Sequence, residues 1–264
     1  MTLWAFTSLS ESPGVTTTAL LVAAGSEPPA LVVEADPFGG SLGARFGLAP
    51  RPGLATLAAA RRDRSPEALR THVQLLPGGL EVVVGLPSLA QSQALATAWD
   101  SLADAVGALG QPVVVDAGRL TTDAGAPLAL LGRADVLVVV ARPELSQIAR
   151  LRAARDTLVG INPRVVLVLV GERPYGPAEV GAACDIEIAG ILADDPGTAA
   201  LAGGGAGSGR ALRRSALARS AAALAQALSV RSTATPTGAA PEPVSVAPPE
   251  RAERTTPVAE EVSL

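Results

Sequence analysis

The sequence contains no lysine. All 21 basic residues are arginine, and the 264-residue chain has a formal net charge of −4. A mechanism that needs a lysine side chain is therefore excluded for this chain and for an identical partner chain. The single cysteine, Cys184, excludes an internal disulfide and a multi-cysteine zinc site, and the single histidine, His72, argues against a histidine triad. Because the net charge is negative, we do not expect nucleic acid to be a partner.

Long hydrophobic runs are missing as well. Hydrophobic residues make up 48% of the chain, yet the longest apolar runs are only as long as a strand. We therefore expect no transmembrane helix. The acidic, proline-rich end of the chain contains no recognisable amphipathic membrane helix, so we also expect no direct membrane anchor. No basic segment precedes Trp4 and Phe6, so we expect no signal peptide and a cytoplasmic location.

Short apolar runs alternate with helical segments along most of the chain. Most runs are apolar at nearly every position, which is typical of parallel strands covered on both faces. The predicted strands are 3–7, 30–34, 80–84, 112–116, 135–140, 165–170 and 186–191. The predicted helices are 16–24, 54–62, 66–75, 89–109, 126–131, 145–158, 177–183 and 209–228. This alternation predicts an α/β fold with a doubly wound, mostly parallel sheet flanked by helices.

The apolar pattern stops near residue 229. The remaining residues are rich in Pro, Thr, Ala and Glu and have no apolar period. Such a segment cannot bury enough surface to offset the entropy of ordering it. We therefore predict one α/β domain over residues 1–228 and a disordered tail over residues 229–264.

The first predicted strand is followed by a loop and then by the start of a helix. This is the layout of a phosphate-binding P-loop, in which backbone amides and the helix dipole hold phosphate. A working P-loop ends in Gly-Lys-Ser/Thr, whereas this chain has Gly14-Val15-Thr16. The backbone amides can still bind a phosphate, but the positive charge of the lysine is missing. Alternatively, the hydroxyls of residues 16–18 only cap the helix.

The same loop resembles the deviant Walker A motif of the MinD/ParA family, Lys-Gly-Gly-x-Gly-Lys-Thr-Thr. The motif falls on residues 10–17, where Gly14, Thr16 and Thr17 match and Ser10 and Val15 replace the two lysines. A similar drift is found in the TadZ/CpaE-type proteins of this family. The resemblance implies a P-loop NTPase-like fold and a degenerate Walker A site.

Four later segments resemble family motifs in the same order. Residues 34–40, Glu-Ala-Asp-Pro-Phe-Gly-Gly, resemble switch I, which implies that Asp36 is the residual catalytic, water-orienting aspartate. Residues 113–118 resemble the Walker B and switch II segment, which places Asp116 on the magnesium side. The other two segments are 134–144 and 189–196.

The resemblance also implies the contacts of a bound nucleotide. The candidate cofactor-binding residues are Gly14, Val15, Thr16, Thr17, Arg119 and Arg142. The candidate magnesium ligands are Thr16 and Asp116. Arg119 and Arg142 would replace the missing lysine charge, or they would instead pair with nearby carboxylates.

Two functions from different classes follow from the resemblance. The first is a non-hydrolysing positioning or scaffold factor, of the kind that acts in chromosome partitioning or in localisation to a cell pole, secretion system or pilus. It would bind a protein partner, or a second copy, through the face that carries the switch segments. The alternative is an atypical magnesium-dependent ATPase with a lysine-free P-loop. The sequence leaves open whether ATP or ADP binds with magnesium or whether no cofactor binds.

Overall fold

The computed structural model describes residues 2–10, 13–60, 65–123, 125–205 and 209–233. Residues 11–12 of the first loop and 234–264 of the predicted tail lie outside this part. The described residues form eight strands in one sheet, which confirms the predicted α/β fold. The strands are β1 (Leu3–Ser8), β2 (Leu31–Glu34), β3 (Gln74–Leu75), β4 (Glu81–Val83), β5 (Val113–Arg119), β6 (Val136–Ala141), β7 (Val165–Val170) and β8 (Ile188–Leu192).

The sheet has the order β3-β4-β2-β5-β1-β6-β7-β8, and every neighbouring pair is parallel except β3 and β4. The chain first adds strands on one side of β1 and then, after β5, on the other side. The order therefore reverses beside β1, and the connections leave a crevice at its carboxyl end. Ligands of open α/β sheets bind at such a point.

Helices cover both faces of the sheet. They are α1 (Val15–Gly25), α2 (Leu42–Phe46), α3 (Leu54–Ala59), α4 (Pro66–Arg70), α5 (Leu89–Ala94), α6 (Trp99–Gly107), α7 (Leu128–Arg133), α8 (Leu145–Ile161), α9 (Pro177–Cys184), α10 (Pro196–Ala202), α11 (Gly209–Arg214) and α12 (Ala216–Thr233). The predicted helices over 89–109 and 209–228 are each divided in two. Helices α2 and α10 were not predicted.

The predicted helix over 66–75 is wrong in its second half. The helix ends at Arg70, and Gln74–Leu75 forms the antiparallel edge strand β3 beside β4. Gly78 and Gly79 both have positive φ angles, so they reverse the chain between these two strands. This glycine-containing turn determines the local structure in place of the helical apolar spacing.

Side chains that alternate along the strands divide the core into two layers. Leu3 and Ala5 of β1 face the layer built with α3, α6, α7, α8 and α9. Trp4 and Phe6 face the opposite layer, which α1 and α12 cover. Both layers are buried, which explains why the strands are apolar at almost every position.

The last described helix continues beyond the predicted domain end at residue 228. Leu228 is fully buried, and the Trp4 indole N–H donates to Ser232 Oγ over 2.9 Å. The end of α12 is thus fixed to the central strand, and this helix extends to Thr233. In the described ranges, no helix is long and apolar enough to cross a membrane.

Candidate functional site

The loop between β1 and α1 brings backbone amides at the start of α1 to the carboxyl end of the central strand. Gly14 is the N-cap of α1 and has φ 99°, a left-handed conformation that favours glycine. The first backbone hydrogen bond of the helix runs from the Thr18 N–H to the Gly14 carbonyl over 2.9 Å. The N–H groups of residues 15–17 therefore precede the hydrogen-bonded ladder, as in an anion-binding helix N-terminus.

The Thr16 hydroxyl, in the first turn of α1, interacts with the buried carboxyl of Asp116. This contact adds to the interpretation of the threonine hydroxyls as helix caps, which stays a prediction.

Val15 occupies the position at which a working P-loop has its lysine. Its side chain is 7% exposed and belongs to the apolar layer that contains Trp4 and Phe6. An apolar group at this point contributes packing to the core, but it offers no charge to a phosphate.

A cleft of about 500 Å³ opens beside this loop. Its lining residues include Gly14, Val15, Thr16, Thr17, Asp36, Phe38, Arg45 and Arg119. The structure thus brings together most of the site residues predicted from the sequence. Two predicted residues do not line this cleft: Arg142 lines an adjoining cavity, and Asp116 is buried.

Asp116 lies in the middle of β5, two residues before Gly118, which lines the cleft. It is 1% exposed; its Oδ1 accepts the Gly118 N–H over 3.1 Å, and its Oδ2 has no hydrogen-bond partner among the described residues. Burial raises the pKa of Asp116 to about 7, and nearby Glu34 and Asp36 add to the rise, whereas the Thr16 hydroxyl opposes it. A buried carboxyl without a full set of partners is a candidate for a ligand-dependent role.

These residues fit a magnesium ion that is held chiefly by phosphate and water. No group of three or more metal-binding side chains is present in the described ranges, which argues against a cage made of protein ligands alone. Magnesium in nucleotide sites typically uses only one or two protein groups besides phosphate oxygens and waters. The Thr16 hydroxyl and the unpartnered oxygen of Asp116 can supply these one or two protein groups.

Asp36 is half-buried at the wall of the cleft. Its Oδ1 accepts the Phe38 N–H over 2.8 Å, and burial raises its pKa while this hydrogen bond and Arg119 oppose the rise. The carboxyl lies against the backbone of Gly118, where a Cβ atom would stand 2.2 Å from Asp36 Cγ. Gly118 also has φ 55°, a conformation that favours glycine, and a Cβ atom there would displace the Asp36 carboxyl.

Glu34 has a structural role that the sequence did not reveal. It is 1% exposed; its Oε1 accepts the N–H groups of Ser41 and Leu42 over 2.6 and 2.9 Å, and its Oε2 accepts the Gly85 N–H over 2.8 Å. One carboxylate therefore joins the segment after β2, which we call the switch I loop (residues 35–41), to the loop after β4.

Two arginines are among the residues that line the cleft. The Arg119 guanidinium lies 4.4 Å from the centre of the Phe38 ring, a distance typical of a cation–π interaction. Arg45, on the short helix α2, also lines the cleft but was not among the predicted site residues. Arg45 follows Asp36 by nine residues in the sequence, and this closeness is the feature that could have marked it as a site residue. Helix α2, which was not predicted, brings it to the cleft.

Arg142 is engaged by a carboxylate. Its two terminal nitrogens contact both oxygens of Asp194 at 2.9 and 3.1 Å, and this pairing raises the pKa of Arg142. The structure thus matches the alternative that the sequence left open, in which this arginine pairs with a local acid. Asp194 lies in the segment 189–196, but it was not predicted as its partner.

A P-loop-like connection at the crevice of a doubly wound parallel sheet defines the class of P-loop NTPase-like α/β proteins. Comparison with solved structures narrows this class, and the chain has the MinD/ParA-like fold. No protein-family model matches the sequence, and no curated protein is detectably similar to it.

Three solved structures illustrate the likeness. A ParA family ATPase from Chlorobium tepidum has a TM-score of 0.67 at 19% identity, covering 85% of this chain and 97% of that one. The septum site-determining protein MinD of Pyrococcus horikoshii, complexed with Mg-ADP, has a TM-score of 0.66 at 16% identity, covering 85% and 94%. MinD in the MinC:MinD cell division complex of Aquifex aeolicus has a TM-score of 0.66 at 15% identity, covering 90% and 99%. At these identities the likeness establishes the fold.

Proposed function

We propose that this protein is a cytoplasmic, non-hydrolysing positioning or scaffold factor with the MinD/ParA fold, in which nucleotide binding is weak or lost. The observation that carries the proposal is the buried Val15 side chain at the lysine position, in a chain that contains no lysine. Loss of a charged contact to a buried phosphate costs on the order of 2–5 kcal/mol in binding, and more in the transition state. The Arg142–Asp194 pairing supports the same conclusion.

The proposed partner surface lies at the carboxyl edge of the sheet. Three large apolar side chains follow strands there and are exposed to solvent, namely Phe38 at 42%, Leu89 at 43% and Leu145 at 67%. Exposed apolar side chains that form one patch are typical of a protein interaction surface, and the proposal takes these three as members of such a patch. We propose that a protein partner or a second copy binds here, as the MinC:MinD complex of the structural relative illustrates.

An atypical magnesium-dependent ATPase is the second candidate, and specific observations favour it. The cleft retains Asp36, the Thr16 hydroxyl beside Asp116, and the arginines Arg45 and Arg119. In this candidate ATP or ADP binds with magnesium, the backbone of residues 14–17 holds the phosphates, and Asp36 positions the attacking water.

Calorimetric titration of the full chain with ATP and ADP, with and without magnesium, separates the two candidates. Under the proposed function, wild-type protein gives little or no binding heat at high micromolar concentration, and no phosphate is released. Micromolar, magnesium-dependent binding together with ATP turnover that Asp36→Ala abolishes would overturn it.

A lysine introduced at residue 15 restores the missing positive charge and provides a second test of the same proposal. Val15→Lys is expected to tighten ATP binding by roughly 10-fold or more, because it returns a charged phosphate contact beside the backbone amides of residues 15–17. Ala24→Lys is the matched control, since it adds the same charge at an exposed position of α1. Circular dichroism checks that both variants fold. Equal affinities of these two variants would show that the lysine position does not limit binding.

Sedimentation equilibrium tests whether the proposed partner is a second copy of this chain. Leu145→Asp or Phe38→Asp is expected to weaken self-association, whereas Leu75→Asp should leave it unchanged. Leu75 is similarly exposed, at 61%, but it lies on the edge strand β3. A wild-type chain that stays monomeric at all concentrations excludes the second copy.

A further inference from the structure

Three exposed arginines lie close together on α11 and near the start of α12. Arg213 and Arg214 are in the last turn of α11, and Arg219 is the fourth residue of α12. The Arg219 guanidinium donates a hydrogen bond to the backbone carbonyl of Arg214, which brings its charge to the end of α11. We call these three residues the arginine surface.

The elements that pack most closely around the arginine surface carry no acidic residue. Helices α11 and α12 pack mainly against each other and against α1, α10 and β8, and none of these five elements contains Asp or Glu. Within the described ranges, no side chain of the arginine surface forms an ion pair, in contrast to Arg231 at the far end of α12, which pairs with Glu187. Like charges this close repel one another, so an anion bound there lowers the free energy.

The sequence that follows α12 has the opposite charge. Residues 196–240 contain five arginines and neither Asp nor Glu, whereas residues 241–264 contain five glutamates and two arginines. Residues 255–264 hold the adjacent pair Glu260 and Glu261 and no arginine, and we call them the acidic segment. Carboxylates and guanidinium groups match each other in charge and in hydrogen-bond geometry, so the acidic segment complements the arginine surface.

The chain after Thr233 is long enough to bring the acidic segment back to the arginine surface. Helix α12 has 18 residues and is therefore about 27 Å long, and the arginine surface lies at the end of this helix opposite Thr233. Glu260 follows Thr233 by 27 residues, and a flexible linker of that length has a root-mean-square span of roughly 26–31 Å. A linker whose span matches the distance between two sites gives the highest effective concentration of one at the other.

We propose that the acidic segment binds the arginine surface of the same molecule. The carboxylates of Glu260 and Glu261 pair with the guanidinium groups of Arg213 and Arg214 at the end of α11. The contact is reversible, because exposed ion pairs are individually weak. While it is formed, it neutralises a positive surface that is otherwise open to other anions. This inference goes beyond the proposed function and does not depend on nucleotide binding.

Paramagnetic relaxation enhancement in the full chain tests this contact. The single cysteine, Cys184, is buried, so a nitroxide reagent attaches selectively to an introduced Ser263→Cys. At low salt, we expect the nitroxide to lower the amide peak intensities of residues 209–219 about twofold or more, relative to the chemically reduced label. The loss should disappear near 1 M salt, because the Debye length is then only about 3 Å.

Substitutions in the folded domain distinguish a specific contact from chance proximity of the label. Arg213→Gln combined with Arg214→Gln should restore the intensities of residues 209–219, because the neutral amides no longer attract carboxylates. The matched control is Arg150→Gln combined with Arg152→Gln, which removes two exposed arginines from α8 and should leave the intensity loss unchanged.

Substitutions in the acidic segment provide the reciprocal test and leave the folded domain unaltered. Glu260→Gln combined with Glu261→Gln should restore the same amide intensities. A protein with exchanged charges, which carries Arg213→Glu, Arg214→Glu, Glu260→Arg and Glu261→Arg, should regain the contact and lose it again near 1 M salt.

Full intensities of residues 209–219 in the labelled chain at low salt overturn the proposal. An intensity loss that persists in Arg213→Gln with Arg214→Gln also overturns it, because the label then approaches these residues without the arginine charges. Mixing isotope-labelled chain that carries no nitroxide with nitroxide-labelled chain of natural isotopes reports contacts between molecules. An intensity loss of the same size in that mixture assigns the contact to a second copy and overturns the intramolecular form. The proposed non-hydrolysing function is unaffected by each result, since ATP turnover is measured separately.

Discussion

Glu34 offers the sharpest test of how the cleft is held together. The substitution Glu34→Gln keeps the shape of the side chain but replaces one acceptor oxygen by an NH₂ group. In either orientation of the amide, at least one of the N–H groups of Ser41, Leu42 and Gly85 then faces another donor. Leu42 and Gly85 are buried, so water cannot replace the lost acceptor there.

The size of the effect follows from these three hydrogen bonds. A hydrogen bond to a charged acceptor contributes about 1.5–3 kcal/mol, and a buried donor left without a partner costs about 1–3 kcal/mol. Glu34→Gln loses one bond outright and the charge that strengthens the others, so we expect it to destabilise the protein by about 2–4 kcal/mol. Glu34→Ala should cost about 3–5 kcal/mol, because all three donors lose their acceptor.

Chemical denaturation followed by tryptophan fluorescence measures this loss as a lower midpoint at constant slope. Glu67→Gln is the control, because it changes an exposed glutamate on α4 and should alter stability by less than about 0.5 kcal/mol. Hydrogen exchange adds a local measurement: the amides of Ser41, Leu42 and Gly85 should exchange faster in Glu34→Gln. A loss no larger than that of Glu67→Gln would refute the view that Glu34 fixes the switch I loop.

Three further predictions concern stability. Because burial raises the pKa of Asp116 to about 7, the folded state retains this proton between about pH 4 and about pH 7 while the unfolded state releases it. The free energy of unfolding should therefore fall with rising pH, by up to about 1.4 kcal/mol per unit from this group, and Asp116→Asn should remove that slope in pH-dependent denaturation. Thermal denaturation should show that Gly118→Ala costs about 1–3 kcal/mol, whereas Gly107→Ala, which meets no neighbour, is neutral or stabilising. Trp4→Phe and Ser232→Ala should each cost about 0.5–1.5 kcal/mol, and the double variant should cost no more than the larger single loss.

The sequence was sufficient to predict the sheet because the main strands are buried on both faces. Their continuous apolar runs report that burial directly, and all seven predicted strands are present. The edge strand β3 was missed because it has only two residues, and its pairing depends on the turn at Gly78 and Gly79. Short helices such as α2 and α10 carry too few turns to show a period.

The site was predictable where it depends on order along the chain and not where it depends on side-chain contacts. Strand ends and motif spacing bring Gly14, Asp36 and Arg119 to one cleft, as expected. The partner of Arg142 was not predictable, because Asp194 lies 52 residues away and only the packing of β6, β7 and β8 brings the two together. The role of Glu34 has the same origin, since its acceptors lie in two loops that the sheet alone places side by side.

The hydrogen bond between Trp4 and Ser232 also determines how the molecule can be connected to its surroundings. Trp4 is near the amino end of β1, whereas the cleft and the exposed apolar side chains are at the carboxyl end. The described part of the chain therefore ends, at Thr233, on the side of the sheet remote from the proposed recognition surface. A tether attached at that end would leave the opposite side free to bind a partner and would raise the effective concentration of that partner.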